Sequence, residues 1–320
     1  MKLLRYISKR QGIDSPQIGV LLSDKTFINI SAPYKVREGK ELSVIDLIST
    51  PSINEIIEKI LKSSPLKRVE NFNEEDMKLL CPIDKVNSLR DAYSFRQHVE
   101  TSRKNRGLEM IKEFDNFPIY YYSNHNAIEG PGSIKVDKIF QEKLDYELEI
   151  AIIIGKKGIN IPAQEADSFI YGFTIMNDLS SRKLQMEEMK LNLGPAKGKD
   201  FATVLGPYLC TKEELKDSII ETANGNHYDL KLICEVNNRQ YSCDNLKNMH
   251  WTFSQIIEQI SKGTHLYPGD VIGSGTCATG CFYEINSSKK LSEQIWLQDG
   301  DSIKISTNKI GSLSNQIKIV

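Results

Sequence analysis

Apolar positions along the chain change their period several times, and each change predicts an element. Gln17–Ser23 and Thr26–Ile30 are short β-prone runs around a Ser-Asp-Lys turn and predict a hairpin. Between Val44 and Leu61 the apolar residues Val44, Leu47, Ile48, Ile53, Ile56, Ile57, Ile60 and Leu61 fall at helical spacing. Pro51 interrupts that helix, because its ring removes a donor from the ladder. A charged stretch from Lys67 to Lys78 then leads into Cys81-Pro82. A small N-terminal α/β domain over 1–80 and a larger domain over 81–320 are therefore expected.

Past that boundary, β-prone runs are separated by turn signals. Ile119–Tyr122, Tyr146–Gly155, Ser168–Met176, Leu230–Val236, Val271–Ile272 and Ser302–Ser306 are predicted strands. Leu89–Glu109, Leu179–Leu191 and Trp251–Lys262 are predicted helices. Strands dominate and no regular βαβ alternation appears, which predicts an α+β, strand-rich fold rather than a doubly wound sheet.

Composition narrows the function classes. Hydrophobic residues make up 40% and charged residues 26% of 320 positions, an ordinary globular balance with enough chain for a large core. The 41 basic and 42 acidic residues leave a net charge of −1, and no basic stripe is interleaved with aromatics. Neither nucleic acid nor an anionic membrane is an expected partner. The start, Met1 to Tyr6, lacks the apolar stretch of a secretory signal, and no run approaches the roughly 18–20 apolar residues that span a bilayer. A cytoplasmic protein is expected. The six cysteines (Cys81, Cys210, Cys234, Cys243, Cys277, Cys281) form no C-x-x-C pair, and the spacing of Cys277 and Cys281 suits zinc poorly without a second pair or nearby histidines. Free buried thiols are expected.

Five segments carry candidate chemistry. In Asp145-Tyr-Glu147-Leu-Glu149, carboxylates alternate along a predicted strand and share one face, next to the fully apolar run Ala151–Ile154. Like charges at the edge of a core repel unless a cation lies between them, and carboxylate oxygens suit a hard divalent ion. The competing reading is the solvated face of an edge strand. Asp178 ends an apolar strand at Met176-Asn-Asp178, before Ser180, Ser181 and Arg182, where it serves equally as a helix N-cap. Asp91 and His98 are seven apart, the same face of a helix, although a lone histidine there is commonly a plain surface or core residue. Gly194 to Thr203 is a glycine-punctuated loop with Lys197 and Lys199 that lacks P-loop spacing, and Gly269 to Gly280 is a strand opening into a Gly/Thr loop able to present backbone N–H groups.

Taken in this order, the five segments resemble the fumarylacetoacetate hydrolase family from about Arg90 to Ser306, with residues 1–80 similar only loosely to its variable N-terminal region. The resemblance implies a mixed β-sandwich or roll flanked by a few helices, in a homodimer. It implies a divalent cation, Mg²⁺ first and Mn²⁺ or Ca²⁺ as alternatives, held by Asp91, Glu147, Glu149 and Asp178. His98, Glu284 and Lys199 take the catalytic positions, with Glu284 orienting His98. Tyr93, Arg182, Gln185 and Thr276 take substrate positions, and Thr203 a minor position near the metal.

The implied chemistry is hydrolysis of a C–C bond in a 2-oxo or 1,3-diketo acid, such as an acylpyruvate. Relatives that decarboxylate 2-oxo acids, or hydrate and dehydrate them, supply the alternative reaction, and a non-catalytic binding protein on the same fold supplies an alternative of another class. One departure bears on the substrate. Met189 stands where fumarylacetoacetases carry a tyrosine, and an arginine expected about nine residues past the histidine has Arg103 and Arg106 as candidates.

Overall fold

Leu148–Ile154 lies at the centre of the molecule with all seven residues buried. This computed structural model describes residues 1–8, 13–23, 26–63, 69–71 and 76–320. The tip of the Ser-Asp-Lys turn and half of the charged stretch from Lys67 to Lys78 lie outside the described residues. Successive side chains of a strand point to opposite faces, so the two sides of 148–154 enter different cores. Ile150, Ile152 and Ile154 join Phe173, Ile175 and Val204 from the same sheet, and Leu232, Cys234, Ile303, Ile305, Leu313 and Ile317 from a second sheet. Ala151 and Ile153 instead meet Val44, Leu47, Ile48, Ile53, Ile57 and Ile60.

Among the described residues the large sheet has twelve strands. Its main path runs Val69–Asn71, Thr26–Asn29, Ile13–Ser23, Lys2–Ser8, Thr203–Thr211, Ile170–Asp178, Leu148–Ile154, Asp270–Gly273, Ser88–Ala92 and Tyr120–Ser123. Neighbours on this path are antiparallel except Asp270–Gly273 and Ser88–Ala92, which run parallel. The N-terminal hairpin therefore continues the sheet that carries 148–154, through pairing of Lys2 with Cys210 and Leu3 with Leu209. A five-stranded sheet, in the order 239–245, 231–236, 302–307, 311–319 and 132–136, covers the other face of the main core. The architecture is α+β and strand-rich, as its apolar runs predict.

Helices serve mainly as covers. Ser43 caps Val44–Ser49 by accepting the Asp46 N–H, and Pro51 opens the next helix, Pro51–Ser63. Phe253–Ser261 begins with a reciprocal capping box of Thr252 and Gln255 and buries Ile256, Ile257 and Ile260. No helix of the described residues is long and apolar enough to cross a membrane.

Three local expectations are corrected. The predicted helix 89–109 is a strand over Ser88–Ala92 and a helix only over Arg96–Lys104. Its first residues are claimed by two non-local partners, since Asp91 pairs with Gly273 on one side and Tyr121 on the other. The run 145–149 is broken rather than one strand. Leu144–Asp145 pairs with Ser180–Ser181, while Leu148–Ile154 pairs with Ile170–Asp178, so Asp145 leaves the face shared by its neighbours. All six cysteines are free, but Cys243 is exposed and Cys81 only partly buried.

Candidate active site

The ends of adjacent central strands converge on one group of acids. Asp91 lies on Ser88–Ala92, Glu149 on Leu148–Ile154 and Asp178 at the last position of Ile170–Asp178. Glu147 sits just before the central strand, its N–H donated to Asn177 Oδ1 at 3.1 Å. All four side chains are buried, which removes the solvated-edge reading. Asp91, Glu147 and Asp178 each place an oxygen within 4.8 Å of the others. Glu149 stands beside this trio. Its Oε1 accepts from Thr276 Oγ1 at 3.3 Å, and its Oε2 has no hydrogen-bond partner among the described residues. Asp178 is not an N-cap: Ser181 holds that position of Arg182–Glu188, and the Asp178 carboxylate accepts from Tyr121 Oη at 2.6 Å, Lys199 Nζ at 2.8 Å and Thr203 Oγ1 at 3.2 Å.

Close approach of the backbone shapes the acid group. A side chain at Gly273 would place its Cβ 2.3 Å from Asp91 Oδ1 and 2.5 Å from Met176 Cε. The Gly275 N–H donates to Asp91 Oδ1 at 3.1 Å, from a residue in the left-handed region at φ 78°. The Gly/Thr loop thus supplies a backbone donor and the Thr276 hydroxyl to the carboxylates.

Two cations lie among the acids. Lys199 pairs with Glu147 and Asp178, and Arg182 spans Asp145 (Nε–Oδ2, 2.8 Å) and Glu147 (Nη2–Oε1, 2.8 Å). Asp145 also accepts the N–H groups of Phe282 at 2.8 Å and Tyr283 at 3.0 Å, so it anchors Arg182 and the 282–285 turn. Lys199 and Arg182 therefore face four clustered carboxylates plus Asp145. Burial raises the Asp91 carboxyl to about 7, with the Asp178 charge adding to the effect. Burial, then Asp91, hold Glu149 well above its ordinary value. Burial acts upward on Glu147 too, but Lys199, Arg182 and His98 outweigh it and leave that carboxyl at about 2.

A cavity of about 450 Å³ opens in front of these groups. Asp91, Tyr93, Glu147, Gln185, Lys199 and Thr276 border it together with His98 and Arg182, while Glu149, Asp178 and Glu284 lie behind its wall. His98, on the helix Arg96–Lys104, places Nδ1 2.7 Å from Glu284 Oε2, and the Tyr93 ring meets it edge-on at 5.6 Å. Glu284 is held by the N–H of Thr279 (3.2 Å to Oε1) and of Gly280 (3.0 Å to Oε2). Gln185 Oε1 accepts from Arg182 Nη1 at 3.0 Å, which leaves its amide N–H₂ unengaged by that bond. Met189 and Arg106 border the far part of the cavity, with Arg106 Nη1 3.9 Å from the Met189 sulfur, and Arg103 also lines it. Tyr121 is a contributor that reading the sequence missed as a site group, and Asp145, flagged in the carboxylate run, braces Arg182 instead of joining the acid group. Tyr121 occupied a predicted strand, and no residue pattern signals a phenol aimed at a carboxylate.

The family model for the fumarylacetoacetate (FAA) hydrolase C-terminal domain matches residues 88–318, which contain every one of these site groups. The chain belongs to the fumarylacetoacetate hydrolase family. An uncharacterized protein from Staphylococcus aureus (strain USA300) is 32% identical to this family member over 214 residues, 67% of this chain and 65% of that relative's length. Among solved structures, a fumarylacetoacetate hydrolase from psychrophilic Exiguobacterium antarcticum superposes with a TM-score of 0.71 at 22% identity, covering 100% of both chains. Fumarylpyruvate hydrolase from Pseudomonas aeruginosa, in complex with Mn²⁺ and pyruvate, gives a TM-score of 0.59 at 17% identity over 76% of this chain and 92% of that one. These structural likenesses show a shared fold.

Proposed function

We propose that the protein hydrolyses a C–C bond of a 1,3-diketo acid of the acylpyruvate type, with a divalent cation, Mg²⁺ first, held by Asp91, Glu147, Glu149 and Asp178. The fit to such an ion rests on the donor set: four buried carboxylates, all oxygen, one of which has an oxygen without a hydrogen-bond partner. Bound there, the ion supplies Lewis-acid polarisation of the substrate's carbonyl oxygens. Everything else falls to the chain's own side chains.

The observation that carries the reading is His98, backed by Glu284, on the wall of the cavity that Asp91 and Glu147 also border. Glu284 accepts a hydrogen bond from Nδ1–H, which fixes the neutral tautomer and leaves the other ring nitrogen to take a proton from water. The resulting hydroxide attacks the acyl carbonyl. The bond to the adjacent carbon breaks, and the proton returns to that carbon, giving a carboxylic acid and pyruvate. Base catalysis of this kind contributes roughly 10²–10⁴ in rate. An ammonium has three donors, and Lys199 commits two to Glu147 and Asp178. Its third, with the Gln185 amide, is available to the oxyanion, worth on the order of 10²–10³ per donor. Decarboxylation needs no activated water, so the dyad favours hydrolysis over it.

The test is turnover of an acylpyruvate and of oxaloacetate, each with Mg²⁺ or Mn²⁺ and again with excess chelator. Cation-dependent release of pyruvate and a carboxylic acid from the acylpyruvate is expected. Reaction of oxaloacetate alone would replace hydrolysis by decarboxylation.

A further inference from the structure

A second group of metal-ligating atoms lies beside the carboxylates, and the proposed hydrolysis makes no use of its sulfur. A His98 ring nitrogen, the Cys281 sulfur and a Glu284 oxygen lie within 4.8 Å of one another, and all three side chains are buried. Glu284 Oε2 is the hub, 2.7 Å from His98 Nδ1 and 3.7 Å from Cys281 Sγ. Cys277 and Cys281 are badly spaced for zinc in sequence. The fold supplies instead a histidine from the helix Arg96–Lys104 and a carboxylate from the turn Phe282–Ile285.

The two groups differ in chemistry. Asp91, Glu147, Glu149 and Asp178 offer oxygen alone, which suits hard ions, whereas nitrogen, sulfur and oxygen together suit a borderline-soft ion. We infer that His98, Cys281 and Glu284 form an inhibitory site for a zinc-type cation, separate from the carboxylate centre. Bonds of roughly 2.0–2.3 Å in a tetrahedron set ligand atoms about 3.3–3.7 Å apart. The sulfur–carboxylate distance of 3.7 Å already meets this, and the His98–Glu284 distance of 2.7 Å must widen. The His98 ring borders the cavity and has that direction in which to yield. Coordination releases the Cys281 thiol proton to solvent, while the Nδ1 proton of neutral His98 moves to Nε2 so that Nδ1 offers its lone pair to the ion. The ion thereby takes the base and the carboxylate that orients it out of use together. The site rests on this geometry alone; only its effect on turnover rests on the hydrolytic reading.

The experiment uses the full chain saturated with Mg²⁺ and titrated with Co²⁺, read by thiolate-to-cobalt charge-transfer absorbance, which an all-oxygen centre does not give. A saturable band is expected that excess Mg²⁺ leaves in place and Zn²⁺ removes. It should vanish in Cys281→Ser and persist in Cys243→Ser, whose thiol is exposed. His98→Asn keeps the thiol and should bind Co²⁺ about tenfold or more weakly, so it carries the test if Cys281→Ser does not fold. In turnover assays Zn²⁺ should inhibit the wild type at saturating Mg²⁺ and inhibit Cys281→Ser far less. A band that appears without measurable turnover supports the site while removing the hydrolytic reading. No band, a band retained in Cys281→Ser, equal affinity in His98→Asn, or Zn²⁺ inhibition that Mg²⁺ fully relieves would each overturn the inference.

Discussion

His98 has one nitrogen committed to Glu284 and a ring that borders the cavity, so removing it separates base chemistry from ion binding. His98→Ala is expected to lower kcat by roughly 10²–10⁴ with Mg²⁺ affinity unchanged; titration calorimetry beside steady-state kinetics checks both halves, and wild-type turnover in the variant would remove His98 from the mechanism. Asp91 and Glu149 both hold protons to higher pH than ordinary carboxyls, through burial first and then through the charge of Asp178 on Asp91 and of Asp91 on Glu149. A cation must displace those protons, so Mg²⁺ affinity should rise steeply with pH up to and through about 7, the value to which Asp91 is raised. Affinity flat between pH 5 and 8, by the same calorimetry, would contradict that proton competition. At this scale the sequence was informative where motifs carried it. The proximity of His98 to Glu284 spans 186 positions, and only the family pattern pointed to it. Tyr121 gave no comparable signal, because a phenol that braces a carboxylate has no fixed spacing, and Asp145 was seen as one of three alternating carboxylates while the strand break that turns it to Arg182 was not.

At the scale of elements, the site depends on strands approaching more closely than side chains allow. Gly273→Ala would push its Cβ into Asp91 Oδ1 and Met176 Cε. The expected result is weakened Mg²⁺ binding together with a stability loss of about 1–3 kcal/mol, typical of overpacking; denaturant melts and a metal titration read the two effects, and an unchanged variant would mean that the strands have slack. Strands with alternating or continuous apolar runs were legible, since 148–154, 170–178 and 231–236 fall within a few residues of their predicted limits. The segment 88–92 was not. Its residues tolerate a helix locally, and pairing with 270–273 and 120–123, remote in sequence, decides otherwise.

For the whole molecule, the N-terminal residues are joined to the site's sheet in two ways. Lys2–Ser8 extends that sheet, and helices 44–49 and 51–63 cover Ala151, Ile153, Met176, Leu205 and Val271. A chain starting at Cys81 would expose this apolar face, and we expect it to be insoluble or molten, as judged by near-UV circular dichroism and size-exclusion chromatography. A soluble, cooperatively folding fragment would show that 81–320 is self-sufficient. Global stability should carry the signature of the buried acids as well. A carboxyl raised in the folded state favours folding below its unfolded value near 4 and loses that contribution as pH rises to its folded value. For Asp91 this window ends near pH 7. Without a divalent ion, Tm should therefore fall across pH 4 to 7 by this contribution, and the increase in Tm on adding Mg²⁺ should grow over the same range. At an ion concentration of about 100 Kd the gain is ~2.7 kcal/mol.

If His98 activates a water, the oxygen of that water ends up in the product acid, and heavy-oxygen water reads this out. Acylpyruvate cleaved by the Mg²⁺-loaded protein in that solvent should release a carboxylic acid containing one solvent oxygen, seen by mass spectrometry, with no release in chelator. Cleavage that leaves the acid unlabelled, or labelled cleavage that proceeds unchanged in His98→Ala, would contradict the account.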